Sequence, residues 1–74
     1  MAIVDLKTEI TGSVWKILKT VGESVEEDEP VMVLESMKME IPVSASEPGI
    51  IRELLVAEGE TVTDGAVVAR LEVR

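Results

Sequence analysis

Apolar and polar side chains alternate along the first part of this chain. Val4, Leu6 and Ile10 are separated by polar residues, as in a strand that buries one face. Residues 67–73 are rich in Val, which fits a pleated strand better than a helical turn. Pro or Gly interrupts each apolar run within about ten residues. The pattern therefore predicts short strands joined by turns.

A second pattern competes with the first. Apolar residues at 14, 17, 18 and 21 fit the spacing of one helix face, and those at 51, 54 and 55 fit part of it. The spacing of the apolar residues alone permits short helices that end at Gly22 and Gly59. The 12 Val and 6 Ile weigh against helices, because side chains branched at Cβ favour strands. Strands are favoured throughout. Turns are expected at 11–12, 22–23, 47–49, 59–60 and 64–65, and in the acidic stretch ending at Pro30.

The chain contains an internal repeat. Shifting the sequence by 37 positions aligns residues 12–35 with residues 49–72, and 8 of the 24 aligned positions are identical. Gly22 and Gly59 fall at matching positions, and together with Gly49 they are expected to occupy turns with positive φ. Residues 36–48 have no counterpart in the aligned copies. The repeat predicts a quasi-twofold structure with an additional segment between its halves.

Composition narrows the class of protein. The 74 residues are expected to form one domain, 1–74, with half-repeats 12–35 and 49–72. The net charge of -8 argues against nucleic acid, and no apolar run is long enough for a membrane span. With no His and no Cys, the usual catalytic bases and metal ligands are missing, so an independent enzyme is not expected. A cytoplasmic location is expected, and a start at Met1 favours a free protein over an excised domain.

The segment between the repeats carries the candidate chemistry. If residues 31–35 and 41–45 are strands, Met37 and Lys38 lie near the tip of the hairpin that joins them, and Lys38 is exposed. Residues 34–40 are mostly good helix formers, so local propensity opposes this hairpin. Such conflicts between local and overall preference tend to occur at functional sites. Lys38 is therefore the candidate functional residue.

Residues 35–40, Glu-Ser-Met-Lys-Met-Glu, resemble the attachment motif of biotinyl carrier domains, in which the central lysine is biotinylated. The resemblance extends from about residue 4 to residue 71 and is closest to short free-standing biotin/lipoyl attachment proteins and carboxyl carrier subunits. Thr11 stands where many relatives have proline, and no residues are present for the thumb of some acetyl-CoA carboxylase carriers. The implied fold is all-β: a flattened barrel, or barrel-sandwich hybrid, of two quasi-twofold-related four-stranded halves, with the attachment hairpin at one end.

The resemblance also implies a function and its partners. Lys38 would carry biotin as an amide made by a biotin protein ligase. The biotin would then move a carboxyl group from a biotin carboxylase to a carboxyltransferase acting on an acyl-CoA or keto acid. Met37, Met39 and Glu35 are the residues expected to be recognised by the ligase. Met37 and Met39 could equally fill gaps in the core, and Glu72, at the position matching Glu35, favours a structural part for Glu35.

The sequence supports other classes of function less well. A lipoyl carrier would have the same fold, but by family habit it has Asp-Lys-Ala or Asp-Lys-Val at the tip. An unmodified structural domain is the remaining alternative. The acidic run at residues 26–29 lacks the spacing of a calcium loop, so no metal site is expected. No catalytic residue is expected either.

Overall fold

The computed structural model describes residues 2–73, and every regular element in that range is a strand. This confirms the all-β prediction and excludes the helices that the apolar spacing permitted. The eight strands are β1 (Ala2–Lys7), β2 (Gly12–Ile17), β3 (Ser24–Val25), β4 (Pro30–Ser36), β5 (Met39–Ser44), β6 (Gly49–Leu54), β7 (Thr61–Val62) and β8 (Val67–Val73).

The strands form two antiparallel four-stranded sheets. One sheet has the order β5-β4-β2-β7 and is called the attachment sheet below; the other has the order β1-β8-β6-β3 and is called the opposite sheet. Their inner faces enclose one cluster of aliphatic side chains. Its largest fully buried members are Met32, Leu34, Ile51 and Leu71. Burial of these apolar surfaces stabilises the fold in the absence of disulfides.

The repeat is a structural one, and it is longer than the sequence alignment indicates. The Thr8 amide donates to the Ala66 carbonyl, and 37 positions later the Ala45 amide donates to the Glu29 carbonyl. The same shift maps β1 onto β5, so the expectation that residues 36–48 lack a counterpart is wrong for residues 39–44. Because the shift also converts one sheet order into the other, each sheet contains two strands from each repeat.

Two bulges explain the misleading helical spacing. The register of β2 against β4 shifts between Val14 and Lys16, and that of β6 against β8 shifts between Ile51 and Glu53. A bulge inserts one residue, so the inward positions become three apart instead of two. Val14 is buried and Ile17 half-buried, which reproduces the i, i+3 spacing of a helix within a strand.

The glycines divide into two groups. Gly22 and Gly59 have φ of 96° and 90°, as expected for left-handed turns. Gly49 does not have positive φ, so the expectation for it is wrong, and its role is close packing. A Cβ on Gly49 would lie 2.5 Å from the Glu72 carbonyl oxygen, and one on Gly12 would lie 2.6 Å from that of Glu35. At these two positions the strands approach too closely for any side chain.

Candidate functional site

The link between β4 and β5 is a two-residue hairpin loop. Ser36 and Met39 are its last paired residues, and Met37 and Lys38 form the loop. Their φ angles are 53° and 66°, so both lie in the left-handed region. Positive φ at both central residues defines the type I′ turn, whose geometry matches the twist of the flanking strands. The hairpin predicted from the sequence is therefore present, with Lys38 in its loop.

This turn lacks the residues that it normally favours. Type I′ turns prefer Asn-Gly or Gly-Gly, because other residues in the left-handed region cost roughly 1–2 kcal/mol each. Neither Met37 nor Lys38 lowers that cost. Residues held in such conformations without glycine concentrate at functional sites. The cost indicates that the two side chains are needed for something other than the turn.

The side chains around the loop point into solvent. Lys38 is exposed, Met37 is 92% exposed and Met39 is 63% exposed. The interpretation of Met37 and Met39 as core residues is therefore wrong. Exposed methionines are flexible and polarisable, and they suit a surface that adapts to a partner. The loop presents a lysine between two accessible thioethers.

The base of the hairpin is bonded to the loop between β1 and β2. The Ser36 hydroxyl donates to the Thr11 carbonyl at 3.0 Å. The hydroxyl of Thr11 accepts from the Asp64 amide, also at 3.0 Å, which ties it to the turn before β8. Thr11, the residue that departs from the family's proline, thus links the hairpin to the opposite sheet. These bonds hold the base of the loop in position.

The other lysines are differently placed. Lys19 is paired with Glu29 at 2.6 Å, and this hydrogen bond raises the pKa of Lys19. Lys16 lies 5.5 Å from the centre of the Trp15 ring. Lys7 lies on β1, within a regular strand. Within residues 2–73, Lys38 is the lysine carried by a hairpin loop, and no ion pair holds its amine there.

Two carboxylates lie just below the loop. Glu35 and Glu40 are directly opposed across β4 and β5, and both are exposed. Like charges at opposed positions destabilise a strand pair. At the position related to Glu35 in the other repeat, Glu72 accepts a hydrogen bond from Arg52. Glu35 and Glu72 therefore differ in their surroundings, although the sequence places them at matching positions.

The arrangement fits covalent attachment at an exposed amine. Two surface grooves lie within residues 2–73, about 530 and 560 Å³ in volume, and neither is lined by Lys38 or its neighbouring methionines. In residues 2–73 no three His, Cys, Asp or Glu side chains are grouped to hold a metal ion. The same range contains no helix that could span a bilayer. A group bound to Lys38 by an amide needs no pocket on this chain.

The fold and the loop define a class: a small β domain that presents one lysine at a hairpin tip. Residues 3–71 match the biotin/lipoyl family model, which is described as "Biotin-requiring enzyme", and the chain belongs to that family. The resemblance to biotinyl carrier domains that the sequence indicated is therefore confirmed. The family includes both biotin and lipoyl attachment domains, as the name of one relative shows.

Three comparisons illustrate the match. The chain is 40% identical over 63 residues to the biotin/lipoyl attachment protein of Bacillus subtilis, covering 85% of this chain and 86% of the relative. It is 35% identical over 65 residues to the biotinylated protein TB7.3 homolog of Mycobacterium leprae, covering 88% and 92%. Among solved structures, Kluyveromyces lactis urea carboxylase superposes with a TM-score of 0.92 at 33% identity, over 97% of this chain and 6% of that one.

Proposed function

We propose that this chain is a biotin carboxyl carrier and that Lys38 is its attachment residue. The observation that carries the proposal is the loop of Met37 and Lys38, which keeps two non-glycine residues in the left-handed region and exposes both. A turn chosen for stability alone would contain Asn or Gly. The similarity to a protein named as biotinylated supports biotin as the group attached.

Attachment makes one bond at Lys38. The Nζ atom attacks the carboxyl carbon of biotin that a biotin protein ligase has activated as its adenylate, an amide forms, and AMP leaves. An ammonium group has no free electron pair, so a base must remove a proton from the amine before the attack. Because this chain has no His, the ligase has to supply that base. The chain contributes a defined position for the amine.

After attachment the chain acts as a carrier without catalysing a reaction. Bound biotin supplies a ureido ring that accepts and releases a carboxyl group. The rest of the chain keeps the attachment point rigid, because Ser36 and Thr11 fasten the hairpin base and Gly12 packs against β4. The proposed partners are a biotin carboxylase and a carboxyltransferase for an acyl-CoA or keto acid. The similarity to urea carboxylase supports partners of the carboxylase class.

A lipoyl carrier is the second candidate, because a relative is named for both attachments. The two candidates share the fold and the lysine, so the difference must lie in what the modifying enzyme contacts. Met37 and Met39 are exposed on either side of Lys38, where such an enzyme meets them. Their presence favours biotin by the resemblance to the Met-Lys-Met motif.

Intact mass spectrometry tests the proposal. The chain is co-expressed with a biotin protein ligase and biotin, beside Lys38→Arg and, as a matched control, Lys7→Arg on β1 of the opposite sheet. We expect the parent and Lys7→Arg to gain one biotinyl group and Lys38→Arg to gain none. A parallel culture with a lipoyl ligase is expected to leave all three masses unchanged. Lipoylation without biotinylation, or biotinylation of the Lys38→Arg variant, would contradict the proposal.

A further inference from the structure

The outer faces of the two sheets differ at positions that the repeat makes equivalent. On the opposite sheet, Glu53, Arg70 and Asp5 are aligned across three neighbouring strands. The Arg70 guanidinium is 3.1 Å from a carboxylate oxygen of each acid. The hydrogen bonds with Glu53 and then Asp5 raise the pKa of Arg70. Both carboxylates of this row are thus paired within the sheet itself.

The equivalent row of the attachment sheet contains no such network. Lys16, Val33 and Pro42 are aligned across β2, β4 and β5. Val33 lies between the buried residues Met32 and Leu34, so its side chain belongs to the outer face. In this row the central arginine of the opposite sheet is replaced by a half-buried valine and its two acids by lysine and proline.

The next row toward the hairpin shows the same contrast. In the opposite sheet Arg52 donates to Glu72, and this bond raises the pKa of Arg52. Trp15 occupies the position of Arg52 in the attachment sheet, where it is 45% exposed. Glu35 therefore has no arginine beside it and faces Glu40 instead. The attachment sheet has an aromatic side chain and two opposed carboxylates where the opposite sheet has an ion pair.

We call these six residues the attachment face: Trp15, Lys16, Val33, Glu35, Glu40 and Pro42. The face combines an exposed aromatic ring with the Lys16 amine 5.5 Å from its centre, two smaller apolar side chains, and two carboxylates with no ion-pair partner among residues 2–73. Trp is the side chain most enriched at binding hot spots. Unpaired carboxylates on the same face as such a ring suit a partner that presents an apolar pocket together with basic side chains.

The size of the molecule indicates how far a partner at Lys38 must extend. The chain measures 36 × 17 × 17 Å, with the hairpin at one end. An end of this cross-section offers roughly 300 Å², whereas a stable interface covers about 800 Å² on each partner. Val33 lies three residues before the end of β4, or roughly 10 Å along the strand. A partner that binds the hairpin stably must also cover a side of the domain.

The reach of the Lys38 side chain before and after modification indicates which partner has to cover a side of the domain. Before modification the Lys38 amine reaches only roughly 6 Å from its backbone, because the side chain has a four-carbon stem. The ligase must therefore contact the hairpin directly. After modification the biotin arm adds length, and an enzyme can reach the ring without covering the sheet. Among the proposed partners, the ligase therefore has the strictest need for close contact with the domain.

On these grounds, and resting on the proposed function, we propose that the biotin protein ligase docks on the attachment face, with Trp15 in an apolar pocket and basic side chains opposite Glu35 and Glu40. The binding surface then continues from the hairpin down the attachment sheet. The opposite sheet, whose charges pair with one another, stays outside the interface. The repeat supplies a control position for each residue of the two rows.

Steady-state biotinylation tests the docking surface. Trp15→Arg introduces on the attachment sheet the residue found at the equivalent position of the opposite sheet, so the fold is expected to tolerate it. We expect the KM for the carrier to rise about tenfold with little change in kcat, because docking is weakened and the amine is unaltered. Arg52→Ala on the opposite sheet is the matched control, with a KM within about twofold of the parent. Val33→Arg, which copies Arg70, is expected to behave like Trp15→Arg.

A binding measurement separates docking from folding and from chemistry. Trp15 is the single aromatic residue of the chain, so biosynthetic fluorotryptophan gives one fluorine NMR signal. With the unreactive Lys38→Arg chain, saturating unlabelled ligase is expected to shift or broaden this signal. An unchanged signal at saturation, or folded Trp15→Arg and Val33→Arg chains with the parent's KM, would overturn the docking surface. A parent that is not biotinylated at all would instead refute the proposed function.

Discussion

The hairpin tip and the paired loops at Gly22 and Gly59 all require a left-handed backbone, and they meet the requirement with different residues. The loops use glycine, with φ of 96° and 90° and open space where a Cβ would lie. The tip uses Met37 and Lys38, which have side chains and must accept the strain. These two loops thus follow the rules for stability, and the tip departs from them at the residue proposed to carry biotin. The following substitutions test this difference.

The largest effect is expected at the two close-approach glycines. Gly12→Ala and Gly49→Ala should each lower the free energy of unfolding by about 3 kcal/mol, because the new methyl group would overlap a backbone carbonyl that cannot move aside. Urea unfolding measures the loss. Gly12 packs under the attachment hairpin and Gly49 at the equivalent place in the opposite sheet, so equal losses are expected. A loss below about 1 kcal/mol at either site would show that the strands can separate.

A smaller loss is expected at the left-handed glycines. Gly22→Ala and Gly59→Ala should each cost about 1 kcal/mol, because alanine is disfavoured at positive φ although nothing obstructs its methyl group. Thermal and urea unfolding would measure the cost. Biotinylation of Lys38 should be unaffected in both variants. Stabilisation by either substitution would contradict the assignment of these residues to strained turns.

A substitution at the hairpin tip is expected to stabilise the protein, whereas the glycine substitutions destabilise it. Met37→Asn is expected to raise the free energy of unfolding by about 1 kcal/mol, because Asn tolerates the left-handed region and favours type I′ turns. The same variant should be biotinylated more slowly, since it lacks an exposed methionine beside Lys38. Met39→Asn, on a regular strand position, is the control and should bring no such stabilisation. Loss of stability in Met37→Asn would mean that the tip is not strained.

The smallest effect concerns an ion pair present in one repeat only. The hydrogen bond from Lys19 lowers the pKa of Glu29 below its usual 4.5, whereas the equivalent positions in the other repeat are Val56 and Ala66. A carboxyl group with a lowered pKa in the folded state stabilises that state above the unfolded pKa, and the contribution is lost as pH falls through the folded pKa. Glu29→Gln should therefore lower stability slightly at pH 7 and by less at pH 3.

Urea unfolding of parent and Glu29→Gln at both pH values isolates this contribution from the general relief of charge repulsion in acid. Both groups are at the surface, so the difference at pH 7 should be small and should shrink in high salt. Ala66→Gln, at the equivalent position in the other repeat, is the control for side-chain size and should show no dependence on pH. A Glu29→Gln difference that is as large at pH 3 as at pH 7 would exclude the ion pair as its source.

The sequence predicted most of the structure that the two repeats share and much of the structure of the hairpin tip. The strands, the quasi-twofold relation and the hairpin around Lys38 followed from alternation, the 37-residue shift and the motif. The helical spacing at Val14 and Ile17 was misleading because a bulge changes the period of a strand, and a bulge depends on the partner strand. The counterpart of β5 was missed because β1 and β5 occupy equivalent positions in the two sheets but have no identical residue at the aligned positions.

What the sequence by itself determined is local or periodic: the strand content, the turns at Gly22 and Gly59, and a lysine between two methionines. What only the tertiary structure decided depends on residues distant along the chain. It placed Arg52 beside Glu72, and it left Glu35 opposite Glu40 with Trp15 exposed nearby. The physical reason is that strand register and bulges set which side chains become neighbours, and both arise only when separate strands pair.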